Sequence, residues 1–188
     1  MSLIPFRAWA TGIEGLWTVQ LKAVEDPRGV VRELYRESDF VASGLPSLGQ
    51  RPQTNCTETH HGGVRGIHGE LAHKLVALAN GAGYAAVVDL RPASPTAGRW
   101  LGFELAPGRG LFVSAGLGNS FQTTSREAAQ YLYCFAEEWR PDMAGAHVSA
   151  LDPTLAIPWP VPVGGGMVIS DKDADPANTL GRALDPED

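Results

Sequence analysis

Residues able to move a proton stand close together in one short stretch of this sequence. His68 ends the run Arg-Gly-Ile-His that begins at Arg65, and Lys74 lies six residues further on. A histidine can act as a general base near neutral pH when a carboxylate fixes its tautomer and stabilises the imidazolium. Asp171 and Asp173, far downstream, are candidates for that carboxylate. On its own His68 would be a structural histidine; with these neighbours it indicates proton abstraction.

Lys74 could supply the positive charge that such a reaction needs. Removing a proton next to a ketone places negative charge on the carbonyl oxygen. A nearby ammonium stabilises that enolate, by about 3 kcal/mol in typical cases. Without the neighbouring histidine motif, Lys74 would be interpreted as a solvated residue that enters a strand.

The composition is that of an ordinary globular protein. Of the 188 residues, 44% are hydrophobic and 19% are charged, so a single domain over 1–188 with a sizeable core is expected. The formal net charge of −6 argues against a dedicated nucleic-acid-binding protein, because phosphate binding needs a basic face. A few Arg and Lys side chains could still form a local pocket for an anionic ligand.

Signs of secretion, structural zinc or membrane insertion are weak. Cys56 and Cys134 are too few for a disulfide framework, and no Cys/His spacing indicates zinc. The N-terminus has no basic segment followed by an apolar run. The most apolar stretch, 75–90, is interrupted by Asn80 and Gly81 and is too short to span a bilayer. We therefore expect a soluble cytoplasmic protein that does not bind membranes.

Short apolar segments separated by glycine and proline predict an all-β fold. The 22 Gly and 14 Pro fit two antiparallel sheets arranged as a jelly roll better than a helical bundle. A tight turn is expected at 80–83, where Asn and Gly tolerate positive φ. Helix is expected only at 37–42, capped by Ser38, and near 175–180, with a loose tail from 177 to 188. The predicted strands are 16–24, 30–35, 74–79, 84–89, 100–105, 110–113 and 130–135.

Several sequence blocks occur in an order similar to that of one known family. The blocks are Arg65-Gly66-Ile67-His68 followed by Lys74; the segment 87–96; Tyr133; Asp152-Pro153; Ile157-Pro158-Trp159-Pro160; and Ser170-Asp171-Lys172-Asp173. They resemble those of the dTDP-4-dehydrorhamnose 3,5-epimerases, cupin-fold isomerases of deoxysugar and rhamnose biosynthesis. The resemblance covers a domain core of about 16–176. It implies a cupin jelly roll with short peripheral helices.

The resemblance assigns three residues to an enolisation. In the family, the base is the histidine of the R-G-x-H motif, and it pairs with the second Asp of an S-x-x-D segment. The matching residues are His68 and Asp173, while Lys74 would stabilise the enolate. The implied substrate is a dTDP-linked 4-keto-6-deoxyhexose, epimerised at C3, C5 or both. The resemblance implies no cofactor and no metal.

A tyrosine is expected to return the proton on the other face of the sugar, because inverting a carbon requires a separate acid. In the family this tyrosine lies eight residues before a proline. Counting back from Pro141 reaches Tyr133. The alternative, Tyr131, is expected on the same side of the strand, since side chains repeat every second residue.

Further positions match substrate-binding segments of the family. Arg28 and Arg65 would hold the diphosphate, for which arginine offers a bidentate fork. Trp139 would stack on thymine or, alternatively, seal an edge of the core. The complete set of expected substrate-binding residues is Arg28, Glu33, Gln53, Asn55, Arg65, Asn119 and Trp139.

The sequence departs from the family pattern around the expected pocket. Ala85 replaces a usual Asp, Gly69 replaces a residue that is commonly aromatic, and Asn119 occupies the position of a usual His. These changes leave the base, the cation and the acid in place but alter the pocket. They raise the possibility of a paralogue that acts on a different sugar or at one carbon only.

Three other functions fit parts of the same sequence. A metal-dependent cupin would need ligands such as His68, Glu70 and His73, and its second-motif histidine is missing at Asn119. A 3,4-ketoisomerase of a nucleotide sugar is an alternative, although such enzymes are usually shorter. A non-catalytic nucleotide-sugar-binding protein is another, because of Ala85. The resemblance to the epimerase family implies a homodimer with strands exchanged near the N-terminus.

Overall fold

Strands dominate the computed structural model, which describes residues 1–185. No helix in this range is long and apolar enough to cross a membrane. The elements in chain order are β1 (Ser2–Ile4), β2 (Arg7–Ala10), β3 (Leu16–Gln20), β4 (Ala23–Asp26), β5 (Gly29–Arg32), α1 (Glu37–Ala42), β6 (Gln53–Thr59), β7 (Gly63–Glu70), β8 (Lys74–Asn80), β9 (Gly83–Asp89), β10 (Trp100–Leu105), β11 (Arg109–Val113), β12 (Leu117–Thr123), β13 (Ala129–Phe135), β14 (Gly145–His147), β15 (Val168–Ile169), α2 (Asp171–Ala174) and α3 (Leu180–Ala183).

Two large sheets carry the fold. Sheet I has the strand order β2-β3-β11-β8-β13-β6 and is antiparallel throughout. Sheet II has the order β10-β9-β12-β7-β14, with β15 added parallel to β7. A small third sheet, β1-β4-β5, pairs with neither of them.

The main core lies between sheets I and II. Val76 and Leu111 of sheet I join Val87, Leu117 and Phe121 of sheet II in one cluster of almost fully buried side chains. Burying each such side chain stabilises the fold by about 1.5–3 kcal/mol. The prediction of an all-β fold built from two facing sheets is therefore confirmed.

Strand β9 is buried on both faces, which explains its nearly continuous apolar sequence. Ala85 and Val87 pack into the core between the sheets, whereas Ala86 and Val88 pack into a second cluster that includes Val148. A nearly continuous apolar run such as 85–90 is also expected of a strand inside a closed barrel. The sheets are instead open, and the second face is covered by the C-terminal part of the chain.

Each large sheet has a cover on its outer face. Phe40 of α1 packs with Phe112 on the outer face of sheet I. Trp159 and Leu180 pack with Ile67 on the outer face of sheet II. The second cover matters for function, because it brings α2 against β7.

The predicted strands agree with the structure except at their ends. The predicted strand 16–24 is two strands, β3 and β4, which belong to different sheets. The turn at 80–83 is present, with Gly81 at φ +88°. It does not form a hairpin, because β8 belongs to sheet I and β9 to sheet II.

The helix predictions need two corrections. Helix α1 has the predicted bounds, but its N-cap is Arg36 and no side chain caps it, so Ser38 lies inside the helix. Residues from 177 on were expected to be loose, yet α3 is capped by Thr179 and buries Leu180. This packing orders the segment up to Asp185, and 186–188 lie outside the described residues.

Candidate functional site

A cavity of about 500 Å³ opens at one end of the two sheets. Strands β6, β8 and β13 of sheet I line one side, strands β7, β12 and β14 of sheet II line the other, and α2 closes part of the rim. The four residues predicted to be catalytic all line it: His68, Lys74, Tyr133 and Asp173. Residues from distant parts of the sequence therefore meet in one pocket.

His68 and Asp173 form the predicted pair. The Nε2 atom of His68 lies 2.8 Å from Oδ1 of Asp173. Asp173 is buried in α2, where its own N–H donates to the Oγ of Ser170. Because Nε2 faces the carboxylate, Nδ1 is the ring nitrogen left to accept a proton from a ligand. The side chain of His68 is 38% exposed, towards the cavity.

The ionised form of Asp173 is favoured by its surroundings. Burial alone would raise the pKa of Asp173, but the imidazoles of His147 and His68 and the N–H of Gly66 hold it well below its usual range. Gly66 itself has φ +116°, and a Cβ there would lie 2.6 Å from the carbonyl oxygen of Asn119. Glycine is therefore required at position 66, because φ is positive there and the backbone of β12 leaves no room for a Cβ.

Lys74 is buried at the floor of the cavity. Its Nζ donates to the carbonyl oxygen of His68 at 3.1 Å and forms an ion pair with Glu70. Burial lowers the pKa of Lys74, and the carboxylate of Glu70 opposes that lowering. Burial raises the pKa of Glu70, but the ammonium outweighs it and holds this pKa below its usual value.

Glu70 provides a carboxylate next to Lys74, whereas Ala85, which replaces a usual Asp of the family, provides none. Ala85 lies fully buried in the core between the sheets and takes no part in the cavity. Glu70, at the end of β7, provides a negative charge beside Lys74 instead. From the sequence, Glu70 was a candidate only as a metal ligand, because its position four residues before Lys74 did not identify it as the partner of that lysine.

The two neighbouring tyrosines of β13 have different environments. Tyr131 is buried, its hydroxyl accepts from Nδ2 of Asn119 at 3.2 Å, and its ring stacks on Phe121 at 4.3 Å. Burial raises the pKa of Tyr131. Tyr133 is only partly buried and faces the cavity on the same side of the strand. Tyr133 is therefore the more accessible of the two hydroxyls.

Four of the predicted substrate-binding residues surround the mouth of the cavity. Trp139, 48% exposed, donates from its backbone N–H to Oε1 of Gln53, whose side-chain amide donates to Oδ1 of Asn55. Arg65 lines the cavity, and its guanidinium donates through Nε to Oγ1 of Thr59 and through one terminal nitrogen to the carbonyl oxygen of Glu58. With Asn119, these residues form a polar rim that narrows to the His68–Asp173 pair.

Arg28 and Glu33 do not line this cavity in the single chain. Arg28 pairs with Asp26, and Glu33 pairs with Arg36 and Lys22. Both lie at the small sheet β1-β4-β5, which is separate from the sheets that form the pocket. The structure of one chain thus does not bring these two predicted residues to the site.

The histidines are arranged differently from the metal-ligand set considered in the sequence. Nδ1 of His73 accepts from the N–H of Ala115 at 3.2 Å, and His73 does not line the cavity. His147 was missed, because its relation to the site comes only from the pairing of β14 with β7, which places it opposite His68. Its Nε2 lies 3.3 Å from Oδ1 of Asp173 but makes no hydrogen bond.

Comparisons with known proteins find relatives that cover most of the chain. The sequence pattern of the family described as dTDP-4-dehydrorhamnose 3,5-epimerase matches residues 10–180. A dTDP-4-dehydrorhamnose 3-epimerase of Streptomyces niveus is 38% identical over 184 residues, which are 93% of this chain and 84% of that protein.

Solved structures show the same fold. A 4-keto-6-deoxy sugar epimerase from the novobiocin biosynthetic gene cluster of Streptomyces spheroides is 35% identical, with a TM-score of 0.85 over 96% of this chain and 90% of that one. A 3,5-epimerase from Legionella pneumophila, solved with dTDP-4-keto-L-rhamnose, is 27% identical, with a TM-score of 0.84 over 97% and 96% of the two chains. These likenesses confirm the predicted cupin jelly roll.

Proposed function

The chain belongs to the dTDP-4-dehydrorhamnose 3,5-epimerase family, and from that premise we propose that it inverts C3 of a dTDP-linked 4-keto-6-deoxyhexose. It is an isomerase of deoxysugar biosynthesis. The observation that carries the mechanism is the meeting of a histidine–carboxylate pair, a buried lysine and a cavity-facing tyrosine in one pocket.

His68 acts as the base. Its Nε2–H is held by Asp173 at 2.8 Å, so Nδ1 carries the lone pair that removes the proton from the carbon next to the keto group. Asp173 keeps this tautomer and stabilises the imidazolium that forms. Lys74 then faces the charge that develops on the carbonyl oxygen. Its burial strengthens this interaction, because water does not screen the ammonium.

Tyr133 returns a proton to the opposite face of the sugar. It is on β13 of sheet I, whereas His68 is on β7 of sheet II, so the two groups approach the cavity from different sheets. A substrate held between the sheets would present one face to each. Tyr131 supports Asn119 instead, since its hydroxyl is already engaged and buried.

The nucleotide occupies the wide polar mouth of the cavity. Arg65 contacts the diphosphate and Trp139 stacks on the base, while Gln53 and Asn55 contact the remaining polar groups. The exposed ring of Trp139 and the position of Arg65 in the cavity wall support this placement. Lys172, which also lines the cavity, adds a second positive charge near the rim.

Inversion at C3 alone is supported by two observations. The Streptomyces niveus relative is named as a 3-epimerase. In this chain Asn119, an amide that cannot transfer protons at neutral pH, lies opposite His68 in the β12–β7 pairing and is tied to Tyr131. Asn119 therefore adds no second proton-transfer group at the position opposite His68.

Turnover in deuterium oxide tests this function. We expect one deuterium per product molecule, at C3, and a product that differs from the substrate only in the configuration of that carbon, as read by NMR. Deuterium at both C3 and C5 would contradict inversion at a single carbon. A carbonyl moved to C3 would show a ketoisomerase. No deuterium incorporation at all would leave only nucleotide-sugar binding.

A homodimer would bring Arg28 and Glu33 to the substrate. The small sheet β1-β4-β5 exposes Leu3 at 63% and Val31 at 71%, and apolar side chains in such a sheet favour association with a second copy. The charged groups next to it would then reach the cavity of the partner. Val31→Asp should yield monomers in light scattering. A dimer that persists in this variant, or a monomeric parent, would contradict the exchange of this sheet.

The compartment and the cofactor requirement complete the proposal. Cys56 is exposed and Cys134 buried, both as free thiols, which fits the reducing cytoplasm. Proton transfer by His68 and Tyr133 needs no redox group. Exhaustive chelation should therefore not lower the rate. Activity lost on chelation and restored by one metal would show a required ion.

A further inference from the structure

An unpaired nitrogen beside the His68–Asp173 pair suggests a second property of this site. Among the described residues, Nε2 of His147 is the buried side-chain nitrogen or oxygen that has no hydrogen-bond partner. It lies 3.3 Å from Oδ1 of Asp173, and Nε2 of His68 lies 2.8 Å from the same oxygen. This nitrogen therefore has only the charge contact with Asp173 and no hydrogen bond, and a bound cation would give it a direct ligand bond.

These three side chains have the separations that a metal ion requires. Their ligating atoms all lie within 4.8 Å of one another. Zinc bound at about 2.0–2.2 Å in tetrahedral geometry separates its donor atoms by about 3.3 Å. The distance from His147 to Asp173 equals this value at 3.3 Å, and the distance from His68 to Asp173, 2.8 Å, would lengthen by about half an ångström when an ion binds. Both histidines and Asp173 line the cavity, which leaves the fourth position to water.

We propose that His68, His147 and Asp173 bind one divalent cation of the Zn²⁺, Co²⁺ and Ni²⁺ class, and that this binding inhibits the enzyme. Imidazole and carboxylate ligands suit these ions. The inhibition rests on the proposed function, whereas the binding does not. The ion is an inhibitor and not a cofactor, because it binds the ring nitrogen of His68 that must carry a proton during catalysis.

Metal binding and catalysis require opposite tautomers of His68. In the active state, the ring proton is on Nε2 and faces Asp173, which leaves Nδ1 as the base. An ion bound at Nε2 displaces that proton, and the neutral ring then carries its proton on Nδ1. The base nitrogen is thereby blocked. The ion also takes the carboxylate oxygen that orients the ring, so both members of the pair are lost together.

Imidazole NMR on the whole protein tests the site without any substitution. The chain contains five histidines. At one equivalent of Zn²⁺, we expect the ring nitrogens of His68 and His147 to shift, while those of His60, His61 and His73 stay in place. Shifts confined to His60 and His61, or no shift at all, would overturn the proposal.

Calorimetry with ZnCl₂ measures the contribution of His147. We expect His147→Gln to weaken binding at least about tenfold. The matched control His73→Gln should bind as the parent does, because His73 is outside the cavity. Equal affinity in the parent and in His147→Gln would overturn the assignment.

Inhibition is then measured with the dTDP-linked keto sugar as substrate. Zn²⁺ should lower the rate of the parent, with a chelator restoring it, and His147→Gln should need at least about tenfold more Zn²⁺ for the same effect. Binding without inhibition would overturn the second half of the proposal. If metal-free protein shows no turnover while the NMR shifts appear, the proposed function fails and the metal site stands.

Discussion

Lys74 and Glu70 form a buried ion pair that links the end of β7 to the start of β8. The ammonium is almost completely removed from solvent, and the nearest carboxylate is the one that keeps it charged. A buried ammonium without a partner tends to lose its proton. The charge that would stabilise the enolate thus depends on the carboxylate of Glu70.

Replacing Glu70 should therefore alter the pH dependence of turnover. In Glu70→Gln the pKa of Lys74 falls further, because burial is no longer opposed by a negative charge. Lys74 then loses its proton at lower pH, and the alkaline limb of the kcat profile should move to lower pH. Glu127→Gln, which changes an exposed carboxylate, is the control. An alkaline limb that coincides in parent and Glu70→Gln would show that Lys74 does not need this partner.

Removal of the base should abolish most of the activity. His68→Ala is expected to lower kcat by a factor of about 10² to 10⁴ while circular dichroism stays that of the parent, since the ring is part of the cavity wall and not of the core. His73→Ala provides the comparison for a histidine outside the site. Activity of His68→Ala within threefold of the parent would remove the assignment.

Replacing Tyr133 should uncouple proton removal from inversion, whereas replacing Tyr131 should not. In Tyr133→Phe, the base still removes a proton but no acid delivers one to the other face. We expect this variant to exchange the C3 proton with solvent deuterium while inverting slowly. Tyr131→Phe should keep inversion and exchange coupled, because its hydroxyl is buried against Asn119. NMR of recovered substrate and product measures both. If Tyr131→Phe uncouples them instead, the acid has been misassigned.

Nucleotide binding should depend more on Arg65 than on Trp139. dTDP alone is expected to bind and to raise the Tm of the parent, since a ligand specific for the folded state at 100 times its Kd adds about 2.7 kcal/mol. Arg65→Ala should weaken binding more than Trp139→Ala, because loss of a charge-assisted contact usually exceeds loss of one stacking contact. Calorimetry decides the order. If the parent protein shows no binding at millimolar dTDP, this would argue against a nucleotide-sugar substrate.

A buried carboxylate away from the site should govern stability in acid. Burial alone would raise the pKa of Asp89, but Arg91, Ser94 and Thr96 all donate to it and hold the pKa far below its ordinary value of 3.8. A depressed pKa in the folded state stabilises the protein above pH 3.8, and this stability is lost as the pH falls below that value. The contribution of Asp89 to the free energy of unfolding should therefore begin to fall there.

Asp89→Asn tests this by urea denaturation. The variant should be less stable by about 3 kcal/mol at neutral pH, because the Arg91 guanidinium loses its anionic partner. The difference from the parent should shrink below pH 3.8. Asp142→Asn, whose side chain is 86% exposed, is expected to change little. A difference that is constant from pH 7 to pH 3 would show that the charge of Asp89 is not responsible.

The sequence predicted those strands that carry their own signal. Strands β8 and β9 have long apolar runs because both of their faces are buried, and the predictions for them match closely. Strand β7 was not predicted, since its Gly63, Gly66 and Gly69 and its charged side chains have low strand propensity. It is a strand because β12 and β14 pair with it on either side.

The same distinction applies to the site. His68, Lys74, Tyr133 and Asp173 were found from local motifs whose order is similar to a known family. The proximity of His147 arises from strand register, which no local pattern encodes. Partners set by the pairing of distant strands within a sheet are thus the part of a site that one sequence leaves open.

The 105 residues that separate His68 from Asp173 also set the order in which the enzyme becomes competent. Contacts between residues so far apart in the sequence form slowly. Helix α2 is a single short turn, capped by Ser170 and held by a hydrogen bond from the backbone N–H of Ala150 to the carbonyl oxygen of Asp173. A chain with both large sheets formed but α2 undocked has the strand walls of the cavity, without the part of the rim that α2 closes, and a histidine without its carboxylate. Such an intermediate would hold a nucleotide sugar and leave its configuration unchanged.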